Sequence, residues 1–466
     1  MNRRGRNILV LSIAILSLVI IYSYLTLKKP SAPPEDTEAA VTYQAPLASI
    51  NPLDVNRVTV SGVGGFSLER DGTGFRLVSP ALEYPLLDQD AVERLFSFMA
   101  RPVPDELVHE SLPIPQDFGL DTPIVVKAEY GERPGLTLEF GGSSPGGKTY
   151  GRVSGDTRVW TFSKSDTGLF IDGLDALRST TLPFVDLQDL QSLVIQTAGK
   201  TIELVREDSS EEGFYLSPYR LLAPYPTALP VDSDSLSRLI ASIAPFSIAS
   251  FVDGSGSLSS YGLEPQKTMF LLRDSTQELK IIVGHAVPGS EGEVYAKLDT
   301  VPFVFTIKAS SLAFMNSTSA FDLVAKLPML VPVDSIDMIN VDHEGIRRTL
   351  SIVRSAVKPG AQTNSSEEYF ASGRPVDKAI FLEAYKALIG IAIEGDLPAS
   401  LKGSIPAQAS LVITMRRSDG KGELSYQFFD VSKDFMAYRW APGLWFAVSI
   451  SQVKAAMAEM DRLLQP

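Results

Sequence analysis

Cysteine is absent from this chain, and histidine occurs only as His109, His285 and His343 in 466 residues. The first absence removes thiol catalysis, disulfide frameworks, thiolate zinc sites and lipid attachment at an N-terminal cysteine. The second leaves little for imidazole-based metal or acid–base chemistry, and no two histidines show H-x-x-x-H spacing. No G-x-S-x-G elbow accompanies them. Basic charge is also short, with 42 Lys and Arg against 55 Asp and Glu. A nucleic-acid partner needs a basic face, so the balance argues against nucleic acid.

Apolar side chains are not short. They make up 44% of the chain, with 9% aromatic, enough for folded cores over a length that suggests two to four domains. Ile8 to Leu27 is a run of twenty residues without a charge. At 1.5 Å per residue such a helix spans the roughly 30 Å hydrocarbon layer of a bilayer. Arg3, Arg4 and Arg6 precede it and Lys28-Lys29-Pro30 close it, which favours an N-terminus in the cytoplasm and an uncleaved anchor over a cleaved signal peptide. The bulk of the chain is then extracytoplasmic. Residues 1–29 hold five basic and no acidic side chains, leaving 37 basic against 55 acidic, a net −18, beyond them. Pro30 to Pro46 is rich in Pro and Ala and reads as a spacer holding the folded part off the membrane.

The chain then repeats itself. Phe75–Pro80, Pro85–Met99, Phe118–Pro123, Leu136–Gly142 and Tyr150–Phe162 form one series of motifs. Phe214–Pro218, Pro230–Ile243, Tyr261–Pro265, Leu279–His285 and Val294–Ile307 form a second. The aromatic-Gly-Leu corners Phe118-Gly119-Leu120 and Tyr261-Gly262-Leu263 and the strand-ending Gly141 and Gly284 share one offset. A third, more worn series opens at Pro375-Val376-Asp377 and continues through Glu423–Phe429, Met436–Trp440 and Leu444–Val448, without the corner. The expected organisation is an anchor (1–29), a spacer (30–49) and repeat units at 50–186, 187–330 and 331–466, the last degenerate.

Alternation in LTLEF, VWTF and FVFTI has the period of half-buried strands. One main helix per unit starts at an acid able to cap it: Asp88 or Asp90, Asp232, and Asp377. Val92, Leu95, Phe96 and Met99 give the first helix an apolar face. The expected fold class is α+β: a transmembrane helix followed by tandem units of mostly antiparallel sheet with one main helix each.

These elements resemble the bacterial family known only as domain of unknown function 4340. The resemblance rests on Phe75–Pro80, Asp88–Met99, Phe118–Pro123, Gly141 and Tyr150–Phe162, and again on Phe214–Pro218, Asp232–Ile243, Tyr261–Pro265, Gly284 and Tyr295–Ile307. It covers residues 50–325 closely and 331–466 loosely. It implies a membrane-anchored extracytoplasmic protein associated with an ABC transporter of the gliding-motility type. The family brings no catalytic residues to carry over.

Several motifs imitate chemistry. Gly142–Thr149 fits G-x-x-x-x-G-K-[ST], but an alternating hairpin pattern follows where a phosphate loop requires a helix, so it reads as a Pro/Gly turn without nucleotide. Asp166-Thr167-Gly168 matches the aspartic-protease triplet but lacks a second copy and reads as a polar turn. Asp88/Asp90 and Asp232/Asp234 read as caps rather than acid–base pairs. Asp253–Ser257 lacks the acidic ladder of a calcium loop. No cofactor, metal or catalytic residue is expected. The candidate partner-binding residues are Arg439, Trp440 and Trp445, because aromatics beside an arginine are common interface anchors, with inward packing of Trp445 as the alternative. The function expected is a non-catalytic binding or scaffold component of an ABC-type transport assembly in the cytoplasmic membrane. An envelope glycan-, lipid- or peptide-binding module stays open beside it, as does an envelope hydrolase.

Overall fold

The computed structural model describes residues 45–62, 64–111, 114–207, 217–254, 256–301, 303–355 and 367–464. The apolar run Ile8–Leu27, most of the Pro-rich spacer and Phe214–Leu216 of the second motif series lie outside them. Among the described residues no helix is long and apolar enough to cross a membrane. The chain divides into two compact units at Ser179/Thr180. The first holds one sheet and the second holds two.

The first sheet has eight strands in the order β3-β2-β1-β5-β6-β7-β8-β4. They are β1 (Arg57–Ser61), β2 (Phe66–Asp71), β3 (Gly74–Ser79), β4 (Glu106–His109), β5 (Ile124–Tyr130), β6 (Arg133–Ser143), β7 (Thr149–Val153) and β8 (Val159–Phe162). The second comprises β9 (Ser192–Thr197), β10 (Lys200–Arg206), β11 (Tyr219–Ala223), β12 (Leu229–Pro230), β13 (Ser250–Val252), β14 (Thr268–Arg273), β15 (Glu278–Ala286), β16 (Glu293–Leu298) and β17 (Val304–Lys308). The third comprises β18 (Ile336–His343), β19 (Ile346–Arg354), β20 (Glu367–Ala371), β21 (Arg374–Val376), β22 (Gly395–Asp396), β23 (Leu411–Arg417), β24 (Glu423–Asp430), β25 (Phe435–Ala441) and β26 (Leu444–Ser449). Their orders are β12-β11-β10-β9-β14-β15-β16-β17-β13 and β21-β20-β19-β18-β23-β24-β25-β26-β22. Strand for strand these two orders coincide. The first sheet differs only in lacking the short fourth strand.

Every pairing is antiparallel, so the architecture is α+β built on three tandem sheets. In each, the first strand lies inside the sheet, and the helix that follows the third strand, or the short fourth where there is one, carries the chain to the opposite edge. The helix Gln89–Ala100 buries Val92, Leu95, Phe96 and Met99 against the sheet, the face its 3–4 spacing predicts. Asp88 accepts hydrogen bonds from the Asp90 and Ala91 N–H groups at 3.0 and 3.1 Å. Asp232 caps Ser233–Ala241 by accepting from Ser235 N, and Asp377 caps Lys378–Ile389 by accepting from Ala379 N. These caps satisfy N–H groups that no helical carbonyl can reach. Helix content is richer than one per unit, with Lys164–Ile171 after β8 and Ile450–Leu464 after β26.

Two strands read as half-buried are buried on both faces. All four residues of β8 and the first four of β17 are inside. In the second sheet the cause is a second, smaller core on the back face, where Leu263 packs with Ile282 and Val304, flanked by Leu258, Tyr261 and Tyr295. The aromatic-Gly-Leu corner is what covers that face.

Candidate functional site

The family-type motifs converge on this back face. In the second sheet the Tyr261 ring packs, tilted, at 4.8 Å from Tyr295 of β16, and Leu263 is buried. In the first, Phe118 meets Tyr150 of β7 edge-on at 5.1 Å, with Leu120 buried. The corner turns at Gly119 and Gly262, both with positive φ near 70°, which a side chain disfavours. It presses onto the strand-ending glycines: a Cβ on Gly119 would lie 2.6 Å from Gly142 N, and one on Gly141 would overlap the Phe118 carbonyl oxygen. Strand register shifts in both places, between Phe140 and Ser143 and between Val283 and Ala286. The motif is therefore a fold device, in which glycine, bulge and aromatic form one packed joint.

The third sheet builds the same back-face core from other residues. Leu397, Phe429, Ala437 and Ala447 form it, with Leu401 and Ile405 supplied by the helical turn Ala399–Lys402 and its exit. No corner glycine is needed, and β24 and β25 pair in unshifted register. Trp445 belongs to this core: it is half-buried and meets Phe429 edge-on at 5.2 Å. Arg439 lies opposite it across the β25–β26 ladder, with its guanidinium 5.6 Å from the Trp445 ring. Trp440 stands apart, at an irregularity in β25, packed at 6.0 Å on Tyr438 and 5.9 Å on Phe446. The structure thus brings Arg439 and Trp445 together on one face and groups Trp440 with a different aromatic set.

That second set joins the second and third sheets. Phe446 is fully buried and touches Tyr225 at 5.8 Å and Phe321 at 6.0 Å. The Tyr225 hydroxyl donates to Asp396 Oδ1 at 3.0 Å. Burial raises the Tyr225 pKa, and the Asp396 charge adds to the rise. Lys326 sits with its ammonium 3.8 Å from the Phe321 ring centre and donates to the Val324 and Phe321 carbonyls. Burial holds its pKa down, against the opposing pull of Asp322, Asp232 and Asp396. Sequence reasoning missed this joint, because Tyr225, Lys326 and Asp396 belong to no shared motif.

Motifs that imitated chemistry take structural positions. Gly142–Thr149 closes the β6–β7 hairpin, with Ser144 N donating to Lys148 O at 2.6 Å and Lys148 paired to Asp105 at 3.2 Å. Asp166-Thr167-Gly168 is not a free turn but lies in the helix Lys164–Ile171, where Ser163 is the cap. Buried Thr167 bonds Thr149 Oγ1 at 2.9 Å there. The Ser-x-x-Asp spacing was a readable cap signal. His109 lies on β4, exposed His285 at the β15 bulge and His343 beside the β18–β19 turn. Among the described residues no group of three or more His, Asp or Glu side chains is placed to hold a metal ion.

No curated protein and no solved structure matches the chain. A family model described as "Domain of unknown function (DUF4340)" matches it twice in tandem, over residues 77–225 and 222–380. Each match runs from the edge of one sheet to the same region of the next, and together they cover about two thirds of the sequence. The chain belongs to the DUF4340 family.

Proposed function

We propose that this is a single-pass, membrane-anchored extracytoplasmic accessory protein, a non-catalytic binding or scaffold part of an ABC-type transport assembly. Ile8–Leu27 would hold it in the bacterial cytoplasmic membrane with its N-terminus in the cytoplasm, and the permease or a related envelope subunit would be its partner. The observation that carries this reading is the use made of the acids: Asp88, Asp232 and Asp377 are each consumed in capping a helix. Three tandem sheets with duplicated joints supply extended surface, which supports a binding role. The −18 charge beyond the anchor repels anionic headgroups and keeps that surface off the bilayer.

The test is topological and biochemical together. Reporter fusions after residue 29 and at the C-terminus should both report an extracytoplasmic location, and the chain should leave a mild detergent extract with transporter subunits. A cytoplasmic C-terminal reporter ends the reading. A second reading, binding of an envelope glycan, lipid or peptide without a transporter, is favoured by the Arg439–Trp445 pair. Glycan retention that survives Trp440→Ala and Trp445→Ala removes its aromatic-site form.

A further inference from the structure

Each sheet is entered by an extended segment that pairs at its edge, and the first two are left by one as well. On entry, Leu47 N donates to Pro102 O in the first sheet, Ile248 N to Thr180 O in the second, and Ile393 N to Lys326 O in the third, at 2.8–2.9 Å. On exit, the pairing falls on the residues just before the helix cap. In the first sheet Ser179 N donates to Leu86 O and Asp88 N to Leu177 O, around the Leu87–Arg178 bridge. In the second Ala325 N donates to Pro230 O and Asp232 N to Leu323 O, at 2.9 and 2.8 Å, around the Val231–Val324 bridge.

The third sheet repeats the acceptor edge, and no described residue pairs along it. Arg374-Pro375-Val376-Asp377 aligns with Leu229-Pro230-Val231-Asp232. Ala371 and Arg374 close the β20–β21 turn, so the next pair, Phe370 and Pro375, turns its backbone groups outward. After β26 the chain enters the helix Ile450–Leu464, and among the described residues none runs along the outer edge of β21. Among the described residues neither Pro375 O nor Asp377 N has a backbone partner. Burial follows: Leu229, Pro230 and Val231 are inside, whereas Arg374 and Pro375 are exposed and Val376 is half-buried. An open cleft of about 580 Å³ runs along this edge, walled in part by Tyr369, Phe370, Val376 and Lys378. Proline commonly protects an edge by removing a donor. Here it does not, because the outward groups are the carbonyl of Pro375 and the N–H of Asp377, as Pro230 and Asp232 already demonstrate.

We propose that the β21 edge at Pro375–Asp377 is a strand-addition site for an extended segment of a partner protein, of the form Leu-x-Ala or Leu-x-Ser with a basic residue at or just beyond it. The two internal exit segments define that chemistry. Leu177-Arg178-Ser179 and Leu323-Val324-Ala325 each present a leucine carbonyl to the cap-residue N–H and a small residue's N–H to the carbonyl two positions earlier. Each carries a base, Arg178 or Lys326, and the third edge bears Glu368 and Asp377, beside Glu367, which Arg354 and Lys378 already pair. Backbone pairing supplies affinity and the alternate side chains supply selectivity. This deepens the scaffold reading and rests on it for the partner's being a protein.

The cysteine-free full chain in mild detergent makes the test clean. The probe is a synthetic peptide with the sequence of residues 320–327 and cysteine in place of the residue matching Val324. In a glutathione buffer the Val376→Cys chain should capture it at least tenfold more than the Ile346→Cys chain, whose thiol would stand at a 55% exposed site. Hydrogen exchange on the unsubstituted chain serves as the second measurement: the peptide should protect amides around Asp377, and proline at the position matching Ala325 should abolish that protection. Equal capture by the two thiols, or protection confined to residues 229–232, overturns the proposal. Peptide capture reads this edge alone, so its failure leaves transporter co-purification standing, and the reverse also holds.

Discussion

Gly284 runs so close to Tyr261 that a Cβ would overlap the Tyr261 carbonyl oxygen, and the next residue, His285, donates its N–H to that same carbonyl at 2.8 Å. One hydrogen bond and one missing side chain thus fasten the corner to the strand. The obstacle is backbone, so relaxation has to move the corner or the strand. Gly284→Ala is expected to destabilise by about 2–3 kcal/mol, in the range of overpacked sites. Gly141→Ala should behave alike against Phe118, while Gly289→Ala, in open space though at positive φ, should cost about 1 kcal/mol. Urea midpoints of the three variants check the order.

Asp232 holds its helix by one bond to Ser235 N at 2.8 Å. Asp232→Ala should cost about 1 kcal/mol and Asp232→Asn much less, since asparagine caps nearly as well. Asp88→Ala should match it, as should Asp377→Ala. A thermal unfolding series on these substitutions measures the effect.

How much of this was legible in the sequence depends on the range of the interaction. The caps were readable because Asp88, Asp232 and Asp377 act within three residues. The tandem order was readable because corner and glycine recur at one offset. The third sheet's back-face core was not, because Leu401 on a helical turn and Ile405 just after it fill the place of an aromatic-Gly-Leu corner without its aromatic or its glycine. Nor were the exit pairings, since a single bridge such as Leu87–Arg178 leaves no periodic trace across 91 positions. Burial of both faces of β8 and β17 was hidden for a related reason: period two reports one sheet, not what is laid on its back.

Asp274 gives a pH signature. It accepts from Asp186 N at 2.8 Å, from Thr276 N and Gln277 N at 2.7 Å, and from the Thr276 hydroxyl. The Asp186 and Thr276 N–H groups, in that order, hold its carboxyl well below the usual carboxylate range. A folded pKa below the unfolded value of about 3.9 stabilises the fold fully above that value and loses the contribution as pH falls through the folded pKa. The gap in urea midpoint between the unsubstituted chain and Asp274→Asn should therefore be wide at pH 7 and close progressively below about pH 4.

Phe446 is the buried centre of the joint between the second and third sheets. Phe446→Ala should cost about 3–5 kcal/mol. Tyr225→Phe removes only the bond to exposed Asp396 and should cost about 0.5–1.5 kcal/mol. Limited proteolysis should show cleavage between these sheets first in Phe446→Ala.

The proposed role as an accessory of a transport assembly is most directly tested by purifying the tagged full chain from its native membrane in mild detergent and identifying what comes with it. Recovery of ABC permease and ATPase subunits in fixed proportion is the result expected. Migration of the chain alone, under conditions that keep other transporter complexes intact, contradicts the account.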